Sequence, residues 1–168
     1  MLELWVKTGG KNRLIPNDDG EFFLSRNEIK REKVSLRKHG LKAALFWNMI
    51  TFGNCCTYRI YDPYDSNRII HESYVIHRCY KFPFLKNSDI EIGPCYTHKN
   101  WRGQGIYPSV LRAIIQKELT EHSRSYMIID SSNTSSIRGV KKVGYTRVSY
   151  VTKSKFFKVY KPSKSIEV

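Results

Sequence analysis

Residues Trp101-Arg102-Gly103-Gln104-Gly105-Ile106-Tyr107-Pro108 decide how this 168-residue chain is read. They follow the strand-like stretch Ile90–Thr97 and precede an amphipathic run. Strand, short glycine-bearing turn and helix together aim several backbone N–H groups at one point. Such helix N-termini and backbone nests bind phosphate without a charged side chain. Gly103 and Gly105 let the main chain approach a diphosphate closely and adopt conformations barred to other residues. Pro108 suits the first helical position and biases Tyr107 away from helical geometry. A helix is therefore predicted over Pro108–His122, with Val110, Leu111, Ile114 and Ile115 on its packed face and Arg112, Gln116 and Lys117 toward water. The stretch reads as a cradle for a pyrophosphate.

Composition narrows the classes further. The hydrophobic fraction of 40% and charged fraction of 26% describe a globular chain, expected to form one domain over 1–168. No stretch has the apolar length of a membrane-spanning helix. Met1–Trp5 is too short and acidic for a signal peptide, so the cytoplasm is the expected location. Cys55, Cys56, Cys79 and Cys95 show neither C-x-x-C spacing nor histidines at metal-ligand intervals, so they are expected as reduced thiols and no metal site is expected. The net charge of +14 gathers in Arg26–Lys42 and Arg147–Lys164. A solvated face, an anionic small molecule, nucleic acid or a membrane surface would each suit it. Nucleic acid is not favoured, because no recognition helix, zinc finger or aromatic ribonucleoprotein signature accompanies the charge.

The remaining elements are read from periodicity and breakers. Strands are predicted at Leu2–Lys7, Cys55–Tyr61, Ile69–Arg78, Ile90–Thr97, Ser125–Asp130, Arg147–Thr152 and Phe156–Tyr160. Helices are predicted at Asn27–His39, Leu41–Phe52 and Thr134–Val143, stopped by Gly40, Gly53 and Gly144. Turn residues fill Gly9–Gly20 and Asp62–Asn67. Within Ile90–Thr97, Gly93-Pro94 interrupts the ladder, since proline cannot donate, and predicts a bulge or splay.

With these elements in place, the chain resembles the GNAT superfamily of N-acetyltransferases. The family signature Gln/Arg-x-x-Gly-x-Gly/Ala is matched by Arg102 to Ile106, with Tyr107 where a small residue is usual. A second motif is matched by Asn133, Ser136, Lys142, Gly144 and Tyr145. The resemblance implies an α+β, α/β/α-like fold with a mixed, mostly antiparallel central sheet of about six or seven strands, splayed at the acetyl-CoA site and flanked by helices. It also implies acetyl-CoA as co-substrate. Arg102, Gly103, Gln104, Gly105, Ile106, Tyr107, Asn133, Ser136 and Lys142 would bind it, and Cys95, Tyr96 and Thr97 would meet its pantetheine arm along the strand edge. The Gly-Ile-Tyr-Pro variant looks like that of bacterial acetyltransferases associated with surface polysaccharides.

The chemistry needs a base to free the amine lone pair. Glu91, eleven residues before Arg102, occupies the family's glutamate position, and a half-buried carboxylate there would have its pKa raised as a general base requires. Glu72 and His71 on the preceding strand are the next candidates. The family's usual thiolate-protonating tyrosine is replaced by Val140, for which Tyr96, Tyr145 or water could substitute. The basic, aromatic regions Arg26–Lys42, Trp47 and Tyr150–Tyr160 suit an anionic amine, such as a nucleotide-linked amino sugar or an acidic amino acid. Three classes follow: a small-molecule N-acetyltransferase, an acyltransferase with a protein or RNA-associated acceptor, and a non-catalytic coenzyme A-binding protein. An exposed sheet edge makes a homodimer a reasonable expectation.

Overall fold

Strand alternation and one amphipathic helix build the two-sided core. In the computed structural model, residues 1–9, 28–34, 40–42, 45, 49, 51 and 53–163 are described. The strands are β1 (Leu2–Thr8), β2 (Lys30–Lys33), β3 (Cys55–Asp62), β4 (Asp65–His77), β5 (Ile90–Thr97), β6 (Arg124–Asp130), β7 (Thr146–Lys153) and β8 (Tyr160–Pro162). The helices with complete bounds are α1 (Ile106–Glu118) and α2 (Thr134–Lys142). All eight strands form one sheet in the order β2-β3-β4-β5-β6-β1-β7-β8. Every neighbouring pair is antiparallel except β5 and β6.

On β1, Trp5 points into the core beneath α1, while Leu4 and Val6 point into the core of the opposite face. This is the period-two signature of a strand covered on both sides. The apolar face of α1, Ile106, Val110, Leu111 and Ile114, packs with Ile90, Ile92, Met127 and Ile129. Across the sheet, Cys79, Phe82 and Leu85 from the β4–β5 loop cover Tyr74, Ile76 and Tyr126.

Four expectations change. Lys30–Lys33 is a strand, not part of a helix over Asn27–His39, and residues 27 and 35–39 of that range lie outside the described residues. Its identity comes from pairing with β3, Lys30 against Arg59 through Lys33 against Cys56, which overrides local propensity. The sheet therefore has eight strands rather than six or seven. The helix predicted over Pro108–His122 begins at Ile106, two residues before Pro108, and ends at Glu118. Proline is tolerated anywhere in a first turn because those N–H groups have no intrahelical acceptor. At the C-terminus, residues 155–157 form a turn and the last strand starts only at Tyr160. The described positions of Leu41–Phe52, namely 41, 42, 45, 49 and 51, are helical. Gly10–Gly20, Arg26, Trp47 and most of the first basic run lie outside the described residues.

A polar cluster ties β2 to its neighbours. Arg59, 3% exposed, donates from Nε to Glu72 at 2.6 Å and from Nη1 to Glu32 on β2 at 3.4 Å. Glu32 also accepts from the Tyr61 hydroxyl at 3.1 Å. At the end of α1, Glu118 accepts from Arg31 at 2.6 Å and from the Tyr58 hydroxyl. Removing the shared cation leaves two carboxylates facing each other in a largely dry setting. Arg59→Ala should therefore cost about 3 kcal/mol of unfolding free energy, read from urea denaturation.

Candidate active site

The site begins where a strand pair stops pairing. The parallel ladder of β5 with β6 holds two pairs, Ile90 with Ser125 and Glu91 with Tyr126. Past Glu91, β5 is held on its other side by β4, but the register shifts: Ile92 faces Val75 and Cys95 faces Ser73. Gly93 and Pro94 thus stand opposite Tyr74 alone, the two-against-one count of a β-bulge. An extra residue also reverses which face each following side chain takes. Ile90 and Ile92 face α1 before the bulge, and Cys95 faces α1 after it. Glu91 lies on the opposite face, across from Ile76.

A cleft of about 580 Å³ opens beside the end of β5, beyond the point where its pairing with β6 stops. Both helices start at it. α1 opens on Gly105, with φ of 70° and no side-chain cap, so its first N–H groups remain available. Gly103 has φ of 82° with open space around it, so conformation rather than room requires glycine there. α2 is capped by Asn133, whose Oδ1 accepts from the Ser136 N–H at 3.1 Å. Arg102 donates to the Thr97 carbonyl at 2.9 Å and lies over the Tyr96 ring at 5.8 Å, fixing the end of β5 beside the turn.

The cleft is lined by Cys95, Tyr96, Thr97, Arg102, Gly103, Gly105, Ile106, Tyr107, Asn133, Ser136 and Lys142. Gln104, grouped with them from the sequence, is exposed and does not line it. Trp101 and Pro108, the two ends of the quoted stretch, line it as well, and so do Ser135, Arg138 and Gly139, which were not predicted. Gly139 carried a signal, since a glycine inside a helix usually marks close packing.

Tyr107 turns away from the turn and into the splay. Its hydroxyl donates to Met127 Sδ at 3.8 Å, and its ring lies 6.2 Å from the His71 ring. A Cβ placed on Gly139 would meet the Tyr107 ring at 2.6 Å, so the missing side chain of α2 makes room for the ring. Val140, fully buried, packs in the core and is absent from the cleft lining.

The candidate acid–base groups separate sharply. Glu91 is 5% exposed, and its Oε2 has no hydrogen-bond partner. Burial pushes its carboxyl up to about 8, opposed by the charge of Lys81. Its Oε1 would sit 2.9 Å from a Cβ on Gly93, so the carboxyl folds over the bulge itself. His71 is completely buried, held through Nδ1 by Thr97 and through Nε2 by Ser73, both at 2.8 Å. Burial pushes it down to about 4, which leaves it neutral at pH 7. Glu72 is engaged by Arg59. Tyr96 is 53% exposed. The Tyr145 hydroxyl is buried against Ser125 Oγ at 2.5 Å. Burial pushes the Cys95 thiol up to about 12, so it is no nucleophile at neutral pH. Among the described residues no cluster of three metal-ligating side chains occurs.

Two consequences are measurable. Gly139→Ala must displace the partly buried Tyr107 ring, so it should cost about 1–3 kcal/mol in chemical denaturation, and in a Tyr107→Ala background the same change should cost much less. Glu91 keeps its proton in the folded chain up to about pH 8, whereas an ordinary carboxyl releases it near 4.5. Between those values the native state binds more protons than the unfolded state, so stability falls as pH rises and then levels off. Neutral, buried His71 contributes the opposite slope below about pH 6.5, so melting curves collected between pH 6.5 and 8 should show the fall in the wild type and its absence in Glu91→Gln.

Comparison with known proteins locates the fold. No protein-family profile matches the sequence, and no curated protein matches it. Solved structures do. A putative acetyltransferase from the GNAT family of Novosphingobium aromaticivorans aligns with TM-score 0.54 at 14% identity, covering 88% of this chain and 60% of that one. The glucosamine N-acetyltransferase region of a fungal multi-domain β-N-acetylglucosaminidase aligns with TM-score 0.53 at 10% identity, covering 87% and 19%. A functionally unknown conserved protein of Staphylococcus epidermidis aligns with TM-score 0.52 at 14% identity, covering 87% and 57%. The chain thus spans less than two thirds of the length of each. The splayed mixed sheet, the glycine turn before α1 and these structural neighbours agree: the chain has the GNAT fold.

Proposed function

We propose that the protein is an acetyl-CoA-dependent N-acetyltransferase that acts on the amine of a small anionic acceptor by direct attack in a ternary complex. The observation that carries this reading is Glu91: a buried, partner-less carboxyl with a raised pKa, folded over the bulge at which the cleft begins. A buried polar oxygen without a partner is costly, and such groups concentrate where chemistry uses them.

The residues present suit the coenzyme. The uncapped N-terminus of α1 offers N–H groups to a pyrophosphate, and Arg102, Arg138 and Lys142 supply positive charge along the same cleft. Beyond Glu91 the β6-facing edge of β5 is left open by the splay, so the amides of a pantetheine arm can pair there as an added strand. The bound thioester supplies an activated acetyl group. The N–H of Cys95 would polarise its carbonyl.

Glu91 accepts one proton from the acceptor's ammonium group. The freed nitrogen forms the bond to the acyl carbon, the carbon–sulfur bond breaks with its electron pair on sulfur, and the second proton that the nitrogen must lose passes to the departing thiolate or to solvent. A thiol of ordinary pKa, about 8.5, leaves as thiolate without a side-chain acid, which accommodates Val140 in the core. Direct attack is favoured over an acyl-cysteine route because the Cys95 thiol stays protonated. An anionic acceptor is supported by Lys81, whose charge reaches Glu91. A nucleotide-linked amino sugar or an acidic amino acid fits that description. The fungal neighbour's glucosamine N-acetyltransferase activity makes amino sugars the first to try.

Thiol release from acetyl-CoA, followed across a panel of nucleotide amino sugars and amino acids, tests the reading. Activity should rise with pH through about 8, as Glu91 loses its proton. Glu91→Gln should lower kcat by roughly 10²–10⁴-fold with acetyl-CoA affinity nearly unchanged. Undiminished turnover in that variant would remove Glu91 as the base, and absence of acetyl-CoA binding would remove the enzymatic reading altogether.

A further inference from the structure

The hairpin between β7 and β8 carries a feature that acetyl transfer does not use. Phe156 is 91% exposed and Phe157 75% exposed, side by side at the turn. Exposed Lys153, Lys155, Lys158 and Lys161 surround them. Adjacent aromatic rings in open water are unfavourable on a lone soluble surface and mark interaction sites when they form a patch.

The tip is rigid. The Ser154 N–H donates to the Val159 carbonyl at 2.9 Å, and the Val159 N–H donates to Ser154 Oγ at 3.0 Å. Its base is anchored by the Tyr160 N–H on the Lys81 carbonyl at 2.9 Å and by stacking of Tyr160 on Phe82 at 5.3 Å. The rings are therefore held outward by an ordered turn.

Charge identifies the partner. From Ser131 to Ile166 the chain has nine lysines and arginines and no aspartate or glutamate. Two copies meeting tip to tip would bring like charges together, so a second copy is disfavoured. A partner must accept two phenyl rings on a convex point and present negative charge around them. The interface of an anionic bilayer does both: rings enter at headgroup depth while lysines remain with the phosphates. Nucleic acid would satisfy the lysines and its bases could stack on the rings, but a convex tip offers no groove to track a backbone.

Register sets the direction. Leu2 of β1 lies level with Asp130 at the end of β6 and with Val151 of β7. The tip thus leaves the sheet at the end where β6 leads into Asn133 and the cleft.

We propose that the Lys155–Lys158 tip is a docking point for an anionic lipid surface, holding the cleft end of the protein toward it. The full chain should co-sediment with vesicles of phosphatidylglycerol and phosphatidylcholine, bind phosphatidylcholine vesicles far less, and release as salt rises. Phe156→Ser with Phe157→Ser should weaken binding to the anionic vesicles by about tenfold or more, with circular dichroism and acetyl-CoA binding unchanged. Lys155→Glu with Lys158→Glu should weaken it as well. In Phe156→Trp, indole emission should shift to the blue on adding anionic vesicles. No vesicle binding, or equal binding by the double serine variant, overturns the proposal. So does tighter, Phe-dependent binding to a single-stranded oligonucleotide, or a Phe-dependent dimer in lipid-free solution.

Discussion

Two hydrogen-bonded residue pairs hold β5 to β6, and almost everything distinctive about this molecule follows from their being so few. A longer parallel ladder would close the sheet and leave no cleft. A shorter one would cut the sheet into two halves, since no other described pairing joins β2–β5 to β6, β1, β7 and β8. Antiparallel neighbours on both flanks supply the rigidity that lets so short a seam persist. The Gly93-Pro94 bulge stands at the limit of that seam, where proline contributes no donor and glycine leaves room for the Glu91 carboxyl.

A second complementarity lies across the cleft. Tyr107, on the first turn of α1, and Gly139, inside α2, are fitted to each other, so bulk lost from one helix is supplied by the other. The exchange keeps the uncapped start of α1 clear, because the large side chain leaves the turn for the interior. It also accounts for Val140 packing as an ordinary core residue: the ring that fills this part of the splay comes from α1 instead.

Much of this was legible in the sequence where the determinants are local. Gly103 and Gly105 flank a turn whose conformation needs them, and the proline after Gly93 forbids a continuous ladder; neither depends on distant contacts. β2 was misread because Lys30–Lys33 has the composition of a solvated helix, and only pairing with β3 makes it a strand. The start of α1 was placed too late because Pro108 was read as a helix start, although any position in the first turn accepts it. Tyr107 stood out as a large residue where a small one is usual, but its destination rests on a glycine far along the chain. His71 and Glu72 had suitable chemistry on paper. Burial between two hydroxyls and a grip by Arg59 are tertiary facts that no spacing reveals.

The face reversal at the Gly93-Pro94 bulge bears on how such a protein diverges. Glu91 and Cys95, four residues apart on one strand, look out on different halves of the molecule. Substitutions on the loop packed against Glu91 can remodel one pocket without disturbing the walls of the other. Selection acting on one side would then leave the other side untouched. A single inserted residue, by turning one strand over midway, gives the scaffold two independently evolvable specificities.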